Sequence, residues 1–258
     1  MVEKTRTLLF GLFVLAGRPL TAAQCAALAA PFGVSSSNVK SHLTRLVGEG
    51  ALVRRGPNRE GRYAIADAKS AVVDAIDLRL APSDDQPWSG DWILLSAPAP
   101  PDRADRDHFA AALWFDGFRA TGGGAFVRPD WPQPWASESA ALFVALGGVA
   151  VIGRMSGVSA QDIAALYDLD DLDESAAALA RGLGERRRAT SPMSAFRNRV
   201  EAGGDVARFV ACDPRLPPEL WGRRTGMKRL RDAWRAFEKA TAPLADAFVR
   251  DTLGSSDA

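Results

Sequence analysis

Cysteine and histidine are scarce, two of each in 258 residues. Cys25 and Cys212 stand far apart, in no CxxC or Cys/His spacing, so neither a zinc site nor a disulfide framework is expected. Both are read as reduced thiols of a cytoplasmic protein. With only His42 and His108, the chain offers no Ser/His/Asp or Cys/His set for nucleophilic catalysis. No apolar run approaches the ~18 residues that a membrane span needs. The opening segment does have the order of a secretory leader: Lys4 and Arg6, the apolar run Leu8–Ala16, then small residues Thr21–Ala23. Gln24 suits poorly a lipidation site at Cys25, however. Leu8, Leu12 and Leu15 share one helical face with Leu9 and Phe13 beside it, so a buried first helix is the reading adopted.

Acid is missing from the front of the chain. Residues 1–66 carry nine Lys/Arg (Lys4, Arg6, Arg18, Lys40, Arg45, Arg54, Arg55, Arg59, Arg62) against three acids (Glu3, Glu49, Glu60), a balance of +6. The whole chain totals +1, so the remainder carries −5. A basic module on a mildly acidic body points to a polyanionic partner for the first part.

That first part has a recognisable order. Helix 1 runs from about Val2 to Ala16 and stops at Gly17-Arg18-Pro19. Thr21 caps a second helix, Ala22 to Ala29. Pro31-Phe32-Gly33 makes a turn, and Ser35 or Ser36 caps a third helix that ends at Glu49 before Gly50. In the third helix Val39, Leu43, Leu46 and Val47 form the inward stripe. Ser37, Lys40, Ser41, Thr44 and Arg45 fall on the opposite side, with Asn38 at its edge and no acid before Glu49. Short hydroxyls permit close approach to a major groove, while Lys40 and Arg45 reach bases or phosphates. A strand, a turn-rich tip and a second strand follow, carrying Arg54, Arg55, Arg59 and Arg62 around Gly56-Pro57. A basic hairpin directly behind such a helix is a wing, and the pattern predicts a winged helix-turn-helix that binds double-stranded DNA. His42, on the flank of the stripe, is read as partly packed.

Further on, a connecting helix over Asp67–Leu80 and a linker over Ala81–Gly90 are expected. Then come a strand (Trp92–Ala97), a helix to Phe115, a hairpin around Gly122-Gly123-Gly124, a helix (Ser137–Ala145) and a strand (Val149–Arg154). This β-α-β-β-α-β order is ferredoxin-like. The glycine triplet has no following helix and no Lys-Ser/Thr, which argues against a phosphate loop. Residues 159–253 read as helices, the last from Met227 to Leu253 with an interruption near Pro243. Its stripe Leu230, Trp234, Phe237, Leu244 suits either an internal core or a dimer surface. The acids Asp168, Asp170, Asp171, Asp173 and Glu174 lack the glycine and terminal bidentate acid of a calcium loop and read as helix N-terminal acids.

The chain resembles the PaaX family of phenylacetic-acid-degradation repressors. The resemblance rests on Trp88-Ser89-Gly90-Asp91-Trp92, on Gly117-Phe118 through Ala125-Phe126-Val127-Arg128-Pro129, and above all on Asp213-Pro214-Arg215-Leu216-Pro217-Pro218-Glu219-Leu220. After Leu220 the family continues with a Pro and a Trp-Pro-Gly turn, where this chain has Trp221-Gly222-Arg223-Arg224-Thr225-Gly226. The resemblance implies a homodimeric repressor of an aromatic-acid catabolic operon, bound to a palindromic operator and released by an aryl-CoA thioester such as phenylacetyl-CoA. It also implies a middle domain similar to the CRISPR-associated Cas2 fold. For such an effector, Arg186-Arg187-Arg188 and Arg223-Arg224 are the phosphate-donor candidates, and Trp88, Trp92, Trp114, Trp131 and Trp221 the aryl-slot candidates. Of these, Trp92, Trp114, Arg187, Trp221 and Arg223 are singled out.

The expectation is therefore an α+β protein of three domains and a connector: a winged helix-turn-helix (1–66), connecting helix and linker (67–90), a ferredoxin-like middle domain (91–156) and a helical C-terminal domain (157–258). No cofactor, metal or membrane contact is expected. The alternatives are a metal-dependent Cas2-like nuclease, for which the first middle strand supplies no acid at Ser96-Ala97-Pro98, and a winged helix that binds RNA or protein.

Overall fold

The computed structural model describes residues 2–56, 61–67, 74, 78–80, 87–122, 124–132 and 138–254. The wing tip at 57–60 and most of the expected connecting helix and linker therefore lie outside the described residues. The fold is α+β, with helices and two small antiparallel sheets. The chain divides into two compact units. The first comprises residues 1–74, 179–208 and 232–258; the second comprises 75–178 and 209–231.

In the first unit, α1 (Val2–Ala16) leads to a short strand β1 (Leu20–Thr21) and α2 (Ala22–Ala29). Thr21 and Gln24 form a capping box: the Thr21 hydroxyl accepts from the Gln24 N–H and the Gln24 carboxamide accepts from the Thr21 N–H. A 3₁₀ turn (Ala30–Phe32) then reverses the chain through Gly33, whose φ of +71° is left-handed and suits a residue without Cβ. α3 (Ser36–Gly48) starts at Ser35, whose hydroxyl accepts from the Asn38 N–H at 3.3 Å. β2 (Leu52–Arg55) and β3 (Arg62–Ile65) form an antiparallel hairpin, and β1 pairs on the far side of β3.

The core of this unit is assembled from distant stretches. Leu8, Leu9, Leu12 and Phe13 of α1 bury against Leu28, Val39, Leu43, Leu46 and Leu52. Ala195, Phe196 and Val200 complete the same cluster from α8 (Pro192–Val210), and Ala245, Val249 and Leu253 from α10 (Gly226–Gly254). α1 and α8 approach closely where small residues permit it. A Cβ on Gly11 would meet Val200 Cγ1 at 3.2 Å, and one on Gly204 would meet Thr7 Cγ2 at 2.8 Å. Arg199, nearly buried, joins α8 to α10 by a two-pronged pair with Glu238 and a further contact to Asp246.

The long last helix departs from expectation. It runs unbroken from Gly226 to Gly254 with Pro243 inside it. Proline removes one helical donor at this point. The burial of Phe237, Thr241, Ala245, Val249 and Leu253 along one side holds the helix on both flanks, so the loss does not end it. Thr241, just ahead, donates its hydroxyl to the Phe237 carbonyl at 2.8 Å.

The second unit holds a four-stranded antiparallel sheet. In chain order it contains β4 (Asp91–Ser96), α4 (Arg103–Phe115), β5 (Arg119–Gly122), β6 (Ala125–Pro129), α5 (Glu138–Ala145) and β7 (Val149–Arg154). The strands stand in the order β5-β6-β4-β7. Alternation along the strands sorts the two faces. Leu95 and Phe126 pack with Phe109, Leu113, Phe118 and Phe143 of the α4 and α5 side. Trp92 and Val127 pack on the other face with Ile163, Tyr167, Leu169 and Leu216. The Tyr167 hydroxyl donates to the Val127 carbonyl at 3.2 Å. α6 (Ala160–Leu166), the start of α7 (Leu169–Arg186) and the four-residue α9 (Pro218–Trp221) supply this second layer.

The Asp213–Pro217 run is a buried tie in this unit. Asp213 accepts from the Arg215 N–H at 2.8 Å and from Arg231 Nη2 at 3.2 Å. Arg79 is fully buried and donates its guanidinium to the carbonyls of Val210, Asp213 and Phe115, with the Phe115 ring beneath it at 4.1 Å. Arg215, at a left-handed φ of +48°, donates to the Leu78 carbonyl at 2.5 Å.

Candidate nucleic-acid interface

α3 is amphipathic in the way its sequence prescribes, and burial of its stripe decides which face is presented. Val39, Leu43 and Leu46 are fully enclosed in the first unit's core, with Val47 packed at its edge. Ser37, Asn38, Lys40, Ser41, Thr44 and Arg45 are all exposed. These six are thus brought together on one helix face. His42 is enclosed at the flank, and its Nδ1 is buried without a hydrogen-bond partner.

The six are not equivalent. The Ser37 hydroxyl lies 3.1 Å from that of Ser35, and the Thr44 hydroxyl donates back to the Lys40 carbonyl at 3.1 Å. Arg45 leans on Glu49 at 3.2 Å, one turn on, and Glu49 also holds Arg6 at 2.9 Å. Asn38, Lys40 and Ser41 have no such intramolecular engagement among the described residues. The part of the face most open to an external ligand is therefore its N-terminal half, where a helix also presents its positive dipole end. The Arg6–Glu49 link joins residues 43 positions apart, and no local pattern in the sequence announces it.

The hairpin adds a second basic element. Arg55 on β2 stands directly opposite Arg62 on β3, and both are exposed. Like charges facing each other across a ladder cost stability unless something anionic lies between or above them. Neither forms an ion pair with an acid among the described residues. Arg54 behaves differently. Its guanidinium lies over the ring of its cross-strand neighbour Tyr63 at 5.8 Å and fills the space where a Cβ on Gly61 would sit. It belongs to the hairpin's own packing as much as to its surface. Arg59 falls outside the described residues.

The residues singled out for an aryl-CoA effector are dispersed. Trp92 and Trp221 belong to one apolar cluster of the second unit, with Trp88 edge-on to Trp92 at 5.5 Å. Trp114 lies elsewhere on that unit, exposed, with the Arg119 guanidinium over its ring at 4.6 Å. Arg119 also lies 5.2 Å from the Tyr167 ring, and burial pulls it below the usual arginine range. Arg223 is exposed beside Arg224, which is paired with Asp170 at 2.7 Å. Arg187 is a residue of the first unit. Among the described residues no group of three or more His, Cys, Asp or Glu side chains converges as a metal site would require. No helix among them is long and apolar enough to cross a membrane.

The protein is an α+β chain whose first unit presents a basic, acid-poor helix face and a basic hairpin. It is similar to the uncharacterized protein Rv0674 from Mycobacterium tuberculosis: 27% of residues are identical, the TM-score is 0.62, and the match covers 94% of this chain and 97% of that one. No family model matches the chain, and no curated protein matches it.

Proposed function

We propose that the protein is a DNA-binding transcriptional regulator whose residues 1–66 act as a winged helix-turn-helix. In this reading α3 enters the major groove and the β2–β3 hairpin lies along the phosphate backbone. The observation that carries it is the pairing of an acid-free exposed face (Ser37, Asn38, Lys40, Ser41) with the opposed Arg55 and Arg62 on the adjoining hairpin. Asn38 has the carboxamide that reads adenine, and Lys40 the ammonium that reads guanine or phosphate. Arg45 joins them once Glu49 releases it. The strand order β5-β6-β4-β7 with α4 and α5 on one face supports the ferredoxin-like reading of the middle of the chain.

The sequence resemblance extends the proposal. The regulator is a dimeric repressor of an aromatic-acid catabolic operon, released by an aryl-CoA thioester, with Trp92 and Trp221, which share one apolar cluster, and Arg223, two residues beyond Trp221, as the effector-side residues. A ligand that prefers one dimer geometry shifts the half-site spacing and so the operator affinity.

The test is fluorescence anisotropy on duplex DNA from upstream of the protein's own gene, over 50–200 mM salt, with and without phenylacetyl-CoA. Lys40, Arg55 and Arg62, exposed and without an acid partner among the described residues, contribute about −2.7 per protomer to the log–log salt slope, about a 40-fold loss of affinity across that range. Binding with no preference over random DNA and no salt slope overturns the regulator reading. Specific binding unmoved by phenylacetyl-CoA removes that effector alone.

A further inference from the structure

The Arg186-Arg187-Arg188 run lies more than 130 positions beyond α3, yet it belongs to the same compact unit. It closes the end of α7, where Arg186 is spoken for: its guanidinium pairs with Asp205 at 2.9 Å, and its carbonyl accepts from the Asn198 side chain at 2.8 Å. Those two bonds pin the α7 end to α8. The loop that follows is also anchored. Ala189 packs on the first unit's core, and Ser191 and Ser194 exchange hydrogen bonds at the start of α8. Arg187 and Arg188, between these anchors, are exposed and form no ion pair with an acid among the described residues.

The neighbouring surface is the helix-turn-helix turn. Phe196 of α8 meets Phe32 edge-on at 5.9 Å, and the Arg197 guanidinium stands over the Phe32 ring, also at 5.9 Å. Phe32 ends the turn just ahead of the Ser35 cap of α3. Among the described residues Arg197 pairs with one acid, Glu201, loosely, at 3.7 Å. A line of positive charge thus runs from the loop (Arg187, Arg188) across the next helix (Arg197) to the turn before α3. Asp205 is engaged by Arg186 and Arg208, and Glu201 by Arg197, while Glu185 at the end of α7 is exposed.

We propose that Arg187 and Arg188, with Arg197, form a second backbone clamp that takes phosphates of the same duplex read by α3, outside the stretch whose bases are read. This rests on the DNA-binding reading above. The chemistry is point-charge recognition of phosphodiesters by mobile guanidinium groups, so it adds affinity without sequence preference.

The experiment compares the full-length protein with Arg187→Ala/Arg188→Ala, Arg187→Lys/Arg188→Lys and Lys40→Ala/Arg55→Ala. Each is titrated onto a 40-bp upstream duplex and a random duplex of equal length, over 50–200 mM salt. The two loop arginines are exposed, so far-UV circular dichroism of the alanine variant matches wild type. Its salt slope becomes shallower by about 1.8, two phosphate contacts at about 0.9 each. The fold-loss in affinity is the same on both duplexes, leaving the specificity ratio unchanged. The lysine variant keeps most of the slope. An alanine variant with wild-type slope and affinity overturns the clamp while the Lys40/Arg55 variant still weakens binding. If the Lys40/Arg55 variant also binds as wild type, the DNA reading itself falls, and the clamp with it. An alanine variant that keeps its DNA slope but loses phenylacetyl-CoA binding by calorimetry assigns the loop to coenzyme phosphates and overturns the proposal.

Discussion

A chain cut after Ala66 keeps every residue of the DNA-reading surface and loses the folded state that presents it. The reason is in the core of the first unit. Phe196, Val200, Val249 and Leu253 are 0–8% exposed in the same cluster as Leu12, Leu43 and Leu46. Burying a side chain of this size is worth roughly 1.5–3 kcal/mol, so the four together supply roughly 6–12 kcal/mol, an upper bound because the unfolded chain already buries part of this surface. Whole-domain stability is roughly 5–15 kcal/mol. Losing a sum of the same size from a piece of about 65 residues, already marginal by its surface-to-volume ratio, leaves no cooperative fold. The close Gly11–Val200 and Gly204–Thr7 approaches are also lost, and α1 then exposes a face shaped for another helix. The assay is urea unfolding of fragment 1–66 beside the full chain, followed by far-UV circular dichroism, with anisotropy on the upstream duplex. The fragment is expected to show no cooperative transition and only weak, sequence-indifferent binding. A cooperative transition above about 5 kcal/mol, with full-chain affinity for DNA, refutes the argument that α8 and α10 complete this core.

Three further outcomes follow from the second unit and the thiols. Arg79→Met removes the donors to three carbonyls (Val210, Asp213 and Phe115); leaving them unpaired costs about 3–5 kcal/mol, or a fall of roughly 6–20 °C in Tm by calorimetry. Arg79→Lys recovers little of this, because one ammonium cannot reproduce a planar fork. Gly117→Ala places a methyl 2.8 Å from the Pro214 carbonyl at a φ of +85° and costs about 2 kcal/mol or more; a Tm within a degree of wild type contradicts that. Burial pushes the Cys25 thiol up to about 12 from 9.0. The folded state therefore holds the proton that the unfolded state gives up, and this contribution to stability falls as pH rises from about 9 to about 12. Disulfide-exchange titration at pH 8 is expected to label Cys25 only on unfolding, since Cys212 alone of the two is partly exposed.

The helices and strands were largely readable because each obeys one period. α3 sorts at 3.6 residues per turn, and its exposed face carries the six residues expected of it. β4 alternates, so Trp92 and Leu95 go to opposite faces and opposite clusters. What the pattern could not say is which apolar stripe packs on which. Phe196 and Val249 look like any helical core position, and nothing local ties them to Leu43. Pro243 misled for a related reason: the helix penalty of proline is local, whereas the burial that overrides it comes from packing partners far away in the chain. Arg54, expected as a phosphate ligand of a basic tip, also has its guanidinium across Tyr63 and beside Gly61, a contact set by strand register that the sequence does not show.

The same blindness applies to charge, and resolving it sharpens the functional argument. Cationic side chains in this chain serve physically different ends. Arg79, Arg119, Arg128 and Arg215 donate inward to backbone carbonyls of the second unit. Desolvation pulls Arg79 down to about 10 and also lowers Arg119 and Arg128; they stay charged at neutral pH, but their charge is consumed by the fold. Lys40, Arg55, Arg62, Arg187 and Arg188 point outward, with no acid partner among the described residues. A count of formal charge adds both sets together and finds a nearly neutral protein. The second set is available to a polyanion, and all five of its members belong to the first unit; Arg223 and Arg229 of the second unit are exposed as well. The basic character inferred for residues 1–66 is therefore a property of a compact unit that draws on both ends of the chain.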